Sequence, residues 1–282
     1  MKIMLDPGHA GKYYNASPVV AGYFESAMTW KLAEKLRVAL EKRGFEVALT
    51  RDNIDEDPEL TERGRRAAGF DLFLSLHSNA ASDENIDAPW LIHFTRDGES
   101  KLDEESERAA HALGDAVAKV LGTSAPFYYT KKCDFDRDGD GKLNDEWYGV
   151  LFGAKSVGVA GVIVEHGFHT NARCARMLMR DDVLESLAEA EATALAELYG
   201  MKGGGEMAEN EKMREMEKRL EALEDQVKVK WAYIDENLPS WARETVTKLN
   251  RSGALRGNGE NSLELSRLLL RILVILDRAG AL

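Results

Sequence analysis

Apolar and polar positions along the first 200 residues alternate between a strand-like and a helix-like period. Short apolar runs at Ile3–Leu5, Leu72–Leu76 and Val162–Val164 read as strands. Between them the apolar residues fall on one face of a helix. Met28, Leu32, Leu36 and Leu40 recur at four-residue spacing, and Gly44 follows as a C-cap. The pattern predicts strands near 2–6, 45–50, 71–77, 90–95 and 161–166. It predicts helices near 25–43, 59–69, 102–121, 147–157 and 174–199. Strands alternating with helices specify an α/β fold: a mostly parallel, twisted sheet with helices on both faces.

The period changes after Gly203-Gly204-Gly205, a run that reads as a flexible joint. Met213, Met216, Leu220, Leu223 and Val227 then recur at spacings of three and four, a short heptad seam. It reads either as a solvated linker helix with one apolar stripe or as a coiled coil that forms a homodimer. From Trp231 onward two helical patterns are joined by the glycine-rich turn Gly253–Gly259. Three regions are therefore expected: a catalytic domain at 1–202, a joint and linker helix at 203–230, and a small α-helical module at 231–282. A module this small is near the lower limit for independent folding, which favours packing in an oligomer or against the linker.

Composition narrows the function classes. The chain has 282 residues, 44% hydrophobic and 30% charged, ordinary for a globular protein. Its net charge of −12 argues against a nucleic-acid partner, which needs a basic stripe. Two cysteines, Cys133 and Cys174, supply neither a disulfide framework nor a cysteine-rich metal site. The longest C-terminal apolar run, Leu268–Leu276, is interrupted by Arg271 and is too short for membrane insertion. The N-terminus enters the first strand without the basic, apolar and small-residue succession of a signal peptide, so a cytoplasmic location is expected.

The candidate chemistry lies at the strand ends. His9 follows Pro7-Gly8 after the first strand, His77 closes the third, and Glu165 closes the last. Glu25 opens the first long helix. In open α/β sheets, ligands gather beyond the carboxyl ends of the strands. Two imidazoles and a carboxylate there form a His2Glu set, the ligand type of catalytic zinc sites that keep one position for water. Glu165 is then the candidate general base. The alternative for each histidine is a satisfied structural residue. No HExxH motif is present, so the pattern is not that of a zincin.

Six segments in order carry a family resemblance: LDPGHAG at 5–11, Glu25 in its helix, GFEVALTR at 44–51, LTER at 60–63, DLFLSLHSNA at 71–80 and VIVEHGFHTN at 162–171. Across residues 1–200 the chain resembles the zinc-dependent N-acetylmuramoyl-L-alanine amidases of the amidase-3 type. The resemblance implies zinc on His9, Glu25 and His77, with Glu165 as the catalytic carboxylate. It implies peptidoglycan as the partner and, as the bond cleaved, the amide between the lactyl group of N-acetylmuramic acid and L-alanine. Asn79 and His166 line the mouth in this reading and are candidate substrate contacts, with strand-end capping as the alternative. Two departures stand out: His166 follows the catalytic Glu where the family often has a small residue, and Ala67 stands where Asn is usual. They bear on substrate preference. With its linker and small tail, the chain is similar to bacteriophage endolysins, which implies a host-cytoplasmic protein that reaches the cell wall at lysis. The rivals are a bacterial autolysin, which needs an export route, and an inactive wall-binding scaffold, disfavoured by the presence of all four site residues.

Two further features stand apart. In CDFDRDGDGKLNDEW at 133–147, Asp136, Asp138, Asp140, Gly141 and Leu143 match the first eight positions of an EF-hand loop. Trp147 then occupies position twelve, where a bidentate Glu belongs. The loop reads as a candidate calcium site, or as an acidic solvated turn. In the tail, Trp241, Ala242, Val246, Leu249 and RSGALRGNG are similar to S-layer-homology modules and to short modules of phage lytic enzymes. That resemblance implies wall attachment; the alternative is an oligomerisation tail. His93 sits inside a strand and His111 on a polar helix, so neither is a candidate ligand, and His169 is assigned a structural role.

Overall fold

The computed structural model describes residues 1–96, 100–201, 218–258 and 262–282. The chain divides into two compact units, Met1–Glu206 and Met207–Leu282.

In the first unit the strands are β1 (Lys2–Pro7), β2 (Glu46–Leu49), β3 (Leu72–Asn79), β4 (Trp90–His93), β5 (Phe127–Tyr129) and β6 (Ala160–Phe168). The helices are α1 (Glu25–Glu41), α2 (Leu60–Arg65), α3 (Lys101–Leu121), α4 (Gly149–Ser156), α5 (Ala172–Leu178) and α6 (Asp181–Leu198). The sheet order is β2-β1-β3-β6-β4-β5. β2, β1, β3 and β6 run parallel, while β4 runs antiparallel to β6 and carries β5 parallel to itself. The mostly parallel α/β architecture is as expected, with one short strand more than the periodicity predicted. Three residues, Phe127–Tyr129, are too few to show a period of two.

Alternation along the strands builds two cores. Ile3, Leu5, Leu72, Leu74, Leu76, Val162 and Val164 face one side, where Leu32, Leu36 and Leu40 of α1, Leu113 of α3 and Leu187 of α6 cover them. Met4, Phe73, Ile92 and Ile163 face the other side and pack on Val150, Leu151 and Ala154 of α4. The same alternation sends His77 and Glu165 to the α4 side and leaves both at the strands' carboxyl ends.

Two helices are shorter or more divided than their patterns predict. The expected helix at 174–199 is two helices, because Arg180 is extended (φ −84°, ψ 129°) and acts as the N-cap of α6. Asp181 and Asp182 then place negative charge in the first turn of α6, where the helix dipole favours it. The expected helix at 59–69 is only Leu60–Arg65. It packs backbone to backbone on α4. A β-carbon on Gly64 would fall 2.1 Å from the Val150 carbonyl oxygen, and one on Gly153 would fall 2.2 Å from that of Thr61.

In the second unit, α7 covers 218–227 and exposes Leu220, Leu223 and Val227. Met213, Met216 and the glycine run at 203–205 lie outside the described residues. α8 (Ser240–Arg251) and α9 (Arg267–Arg278) enclose Leu238, Ala242, Val246, Leu263, Leu265, Leu270 and Val274. The expected all-helical module also contains an antiparallel ribbon, β7 (Val229–Trp231) with β8 (Leu265–Ser266). No described helix is long and apolar enough to cross a membrane.

Because the α2–α4 contact leaves no room for a methyl group, Gly64→Ala is expected to force the helices apart and destabilise the first unit by about 3 kcal/mol. Urea unfolding measures this; a midpoint unchanged from the parent would show that the two helices are free to separate.

Candidate active site

The site is built on a strained turn. After β1, Pro7-Gly8 leads to His9 in the left-handed region, φ 60°. Such a conformation is uncommon for a residue other than glycine and needs outside support. Thr29 Oγ1 donates to the Gly8 carbonyl (2.7 Å), and Arg51 Nη2 donates to that of Pro7 (3.1 Å). Arg63 Nη2 donates to the His9 carbonyl (3.4 Å). Gly8 is required by space as well, since a β-carbon there would lie 2.3 Å from His77 Cε1.

Beneath the turn lies Asp6, fully buried. Thr50 Oγ1 and Ser75 Oγ each donate to its carboxylate at 2.7 Å, and Arg63 Nη1 approaches to 3.6 Å. Arg63 also pairs with Asp57 at 3.0 Å and is only 2% exposed. It joins the β1 turn to α2.

Glu25 opens α1 at 1% exposure and bridges the two histidines. Its Oε1 lies 2.8 Å from His77 Nδ1, and its Oε2 lies 3.1 Å from His9 Nε2. The Ser78 amide donates to Oε1 at 2.9 Å, and Asn15 Nδ2 donates to Oε2. Burial alone would raise the Glu25 pKa, but its bonds to His77 and His9 hold it well below the usual carboxylate range. Burial likewise opposes charge on His77, yet its bond to Glu25 and the nearby carboxylates push its pKa up to about 9. Donor atoms of His9, Glu25 and His77 all lie within 4.8 Å of one another. The structure thus brings together the three expected ligands.

Glu165 stands across the sheet from His77 in register. Its Oε2 is buried without a hydrogen-bond partner among the described residues. Burial, reinforced by the charge of Glu25 against the pull of His77, raises its pKa to about 7. An orphaned buried carboxylate beside two imidazoles and a second carboxylate is a poor structural solution and a good fit to a bound cation with a water on it. A cleft of about 580 Å³ opens over these groups, lined among others by His9, His77, Glu165, Tyr14, Arg63 and Tyr148. Tyr14, Arg63 and Tyr148 were not singled out from the sequence. Only Arg63, inside LTER, carried a signal.

The two expected substrate contacts are placed otherwise. His166 is fully buried, and alternation along β6 turns it away from Glu165 toward α6, where its Nε2 lies 2.8 Å from Glu191 Oε1. It is closed to substrate, which corrects the expectation. Asn79 is half-buried and accepts from its neighbour's amide, Ala80 N, at 2.8 Å, a strand-end cap. His169 lies under Glu25: its Nδ1 is 2.9 Å from Ser78 Oγ and 3.9 Å from Glu25 Oε2, and its ring stacks on Tyr23. His93 is buried beside the Phe94 carbonyl, and His111 stacks on Tyr128.

In the acidic loop the carboxylates that converge are Asp136, Asp138 and Asp145. Asp140, expected among them, pairs instead with Lys142 at 3.0 Å. Asp145 Oδ2 accepts from the amides of Arg137 (2.6 Å) and Asp138 (3.2 Å), so backbone donors fold the loop around it.

The fold agrees with the comparisons. The chain belongs to the N-acetylmuramoyl-L-alanine amidase family (Amidase_3), whose model matches residues 3–197. The endolysin of Bacillus phage SPP1 is 28% identical over 204 residues, 71% of this chain and 66% of that protein. A Staphylococcus epidermidis protein described as "Probable cell wall amidase LytH" is 30% identical over 118 residues, 42% of this chain and 36% of its own length. Neither match reaches two thirds of the relative's length. The catalytic domain of the CwlV amidase from Bacillus (Paenibacillus) polymyxa var. colistinus shares the fold. Its TM-score is 0.55 at 20% identity, over 71% of this chain and 99% of that one.

Arg63→Met would take from Asp6 its closer cation, leaving two hydroxyls and the more distant Arg51, and would remove the donor to the His9 carbonyl. A loss of roughly 3 kcal/mol in unfolding free energy is expected. Parental stability in denaturant titration would show that the hydroxyls and Arg51 suffice.

Proposed function

We propose that the protein is a zinc-dependent peptidoglycan hydrolase that cleaves the amide between N-acetylmuramic acid and the L-alanine of the stem peptide. The observation that carries this reading is the convergence of His9, Glu25 and His77 beside the unpartnered Glu165 oxygen, inside the segment that matches the amidase family. The donor set of two imidazoles and a carboxylate suits zinc. His9, Glu25 and His77 would hold it. When bound, zinc makes water more acidic and polarises a carbonyl.

The chain's own residues do the rest. Glu165 accepts a proton from the attacking water as the carbon–oxygen bond forms at the amide carbonyl. It then gives that proton to the departing nitrogen as the carbon–nitrogen bond breaks. The products are a lactyl carboxylate and a free L-alanine amino terminus. Its raised pKa suits both halves, since the group takes and releases a proton near neutrality. On the opposite side of Glu165, Trp90 stands in register with it, and the Phe127 ring packs 4.7 Å from the indole. These exposed or half-buried rings are suited to the apolar face of a sugar.

The biological setting in this reading is phage lysis of the host wall, supported by the likeness to the SPP1 endolysin. The second reading, a bacterial wall amidase, is favoured by the LytH match. Calcium at Asp136, Asp138 and Asp145 belongs to the proposal as a stiffener of the 133–147 loop, supported by the convergence of their oxygens. For the second unit the proposed role is wall attachment, supported by exposed Trp241 and Tyr233; self-association is its rival, supported by exposed Leu268, Ile272 and Ile275 on α9.

On purified peptidoglycan the parent should release L-alanine amino termini without new reducing ends, lose activity to a chelator and regain it with zinc. Glu165→Gln should lower the rate roughly 1000-fold while zinc still binds. Parental turnover in Glu165→Gln would remove it as the base, and new reducing ends would mean a glycosidase. Trp241→Ala should weaken retention on walls and leave hydrolysis of a soluble muramyl peptide unchanged. Full retention, together with a smaller sedimentation coefficient in Ile275→Asp, would assign the module to self-association.

A further inference from the structure

We propose that His166 and Glu191 form a buried positioning pair that sets the end of β3, and with it the His77 donor, through the His77 backbone carbonyl. This rests on the zinc amidase reading above and assigns a role to two residues that touch neither substrate nor metal.

The geometry is specific. His166 and Glu191 are both fully buried. His166 Nε2 meets Glu191 Oε1 at 2.8 Å, and its other ring nitrogen, Nδ1, meets the His77 carbonyl oxygen at 3.0 Å. A carbonyl only accepts, so Nδ1 donates to it, and Nε2 pairs with the Glu191 carboxyl. The contact falls where the β3–β6 register slips, between His77 and Asn79. Irregularities of this kind loosen the ladder and re-aim side chains at a sheet's rim. A side-chain donor on the carbonyl holds the chain there.

Among the described residues, the hydrogen bond recorded for the Glu191 side chain is the one to His166. The rest of the buried face of α6 is Val183, Leu184, Leu187, Ala188, Ala192 and Leu195. A charged pair in such a face is often no more stable than an apolar pair of similar volume. Among the described residues Glu191 Oε2 has no partner, so the pair is not even fully satisfied. What the pair supplies, and an apolar pair does not, is a fixed donor on the carbonyl of a metal-ligand residue. Because α6 packs on α1, which begins at Glu25, the bond also refers the β3 end to the helix that carries the third donor.

The test uses the full chain with the pair replaced in two ways. His166→Leu with Glu191→Leu removes both polar groups together, so no buried charge is left alone. His166→Asn with Glu191→Leu restores an amide donor near the His77 carbonyl. Zinc affinity by chelator competition, the absorption spectrum of the cobalt-loaded protein, thermal unfolding, kcat and KM are measured for each.

The expected result for the double-leucine variant is a midpoint near the parent's, zinc affinity weaker by roughly tenfold or more, an altered cobalt spectrum, and a fall in kcat at constant KM. The asparagine variant should recover most of the affinity and the parental spectrum. A double-leucine variant with parental zinc affinity, spectrum and kcat would overturn the proposal and leave the pair as packing. So would an asparagine variant no better than leucine, which also decides the question if the double-leucine chain does not fold. A parent without zinc-dependent amide hydrolysis would overturn the amidase reading, and this inference with it; the parent and variant measurements therefore separate the two failures.

Discussion

A carboxylate withdrawn from water must be given back its hydrogen bonds, and at Glu25 that requirement organises the first unit. Its two oxygens take their bonds from His77, His9, the Ser78 amide and Asn15. These come from the end of β3, the turn after β1, and the loop before α1. The segment from His9 to Asn15 and the end of β3, more than fifty residues on from Glu25, are thereby tied to one side chain at the start of a helix. Removing a donor would strand a buried charge, which is among the costlier defects a fold can carry. The strained conformation of His9 is understandable on the same terms. The backbone holds φ 60° because Thr29, Arg51 and Arg63 bond the carbonyls around it and because its ring completes the Glu25 cluster.

The period of two along β6 then separates chemistry from support. Glu165 and His166 are neighbours in sequence, yet one opens into the cleft and the other is sealed against α6. Asp6 behaves similarly under the β1 turn, where hydroxyls and Arg63 bond it from within. The buried ionisable groups at this end of the sheet thus form two tiers. The upper tier faces the cleft and keeps an unpartnered oxygen. The lower tier is closed to the cleft and fixes backbone carbonyls. This division is what a site needs if its reacting groups are to be under-bonded while its frame stays rigid.

Much of this was legible in the residues. Largely apolar runs ending in His77 and Glu165 reveal both the strands and the polar groups they deliver, because a central strand buried on both faces is mostly apolar until it nears the rim. Glu25 was legible by its place at the head of an amphipathic helix. His166 was misread because nearness in sequence to Glu165 was taken for nearness to the cleft, although alternation alone turns adjacent residues apart. Glu191 was invisible for a related reason: a single Glu in an Ala-rich and Glu-rich helix looks like a solvated position. The α2–α4 contact escaped because glycine in a helix signals weakness unless its partner glycine is known. Asp140 matched a loop template by spacing, but Lys142 two residues on draws it away, and Asp145 takes the place at the centre.

The same reasoning explains why the departure at position 166 need not disturb the chemistry. A small residue after Glu165 demands only that α6 close over it with apolar groups. A histidine there must find two acceptors in a sealed space, and this chain offers both, the carbonyl on β3 and the carboxylate on α6. His166 without Glu191 would leave Nε2 sealed without a hydrogen-bond partner. Glu191 without His166 would be a buried carboxyl in a leucine and alanine face. Neither residue is tolerable alone, so the two are intelligible only as a unit, and the unit has a single outlet, the carbonyl of His77. The change that looks like a substitution at the mouth of the site is therefore a change in the frame behind it.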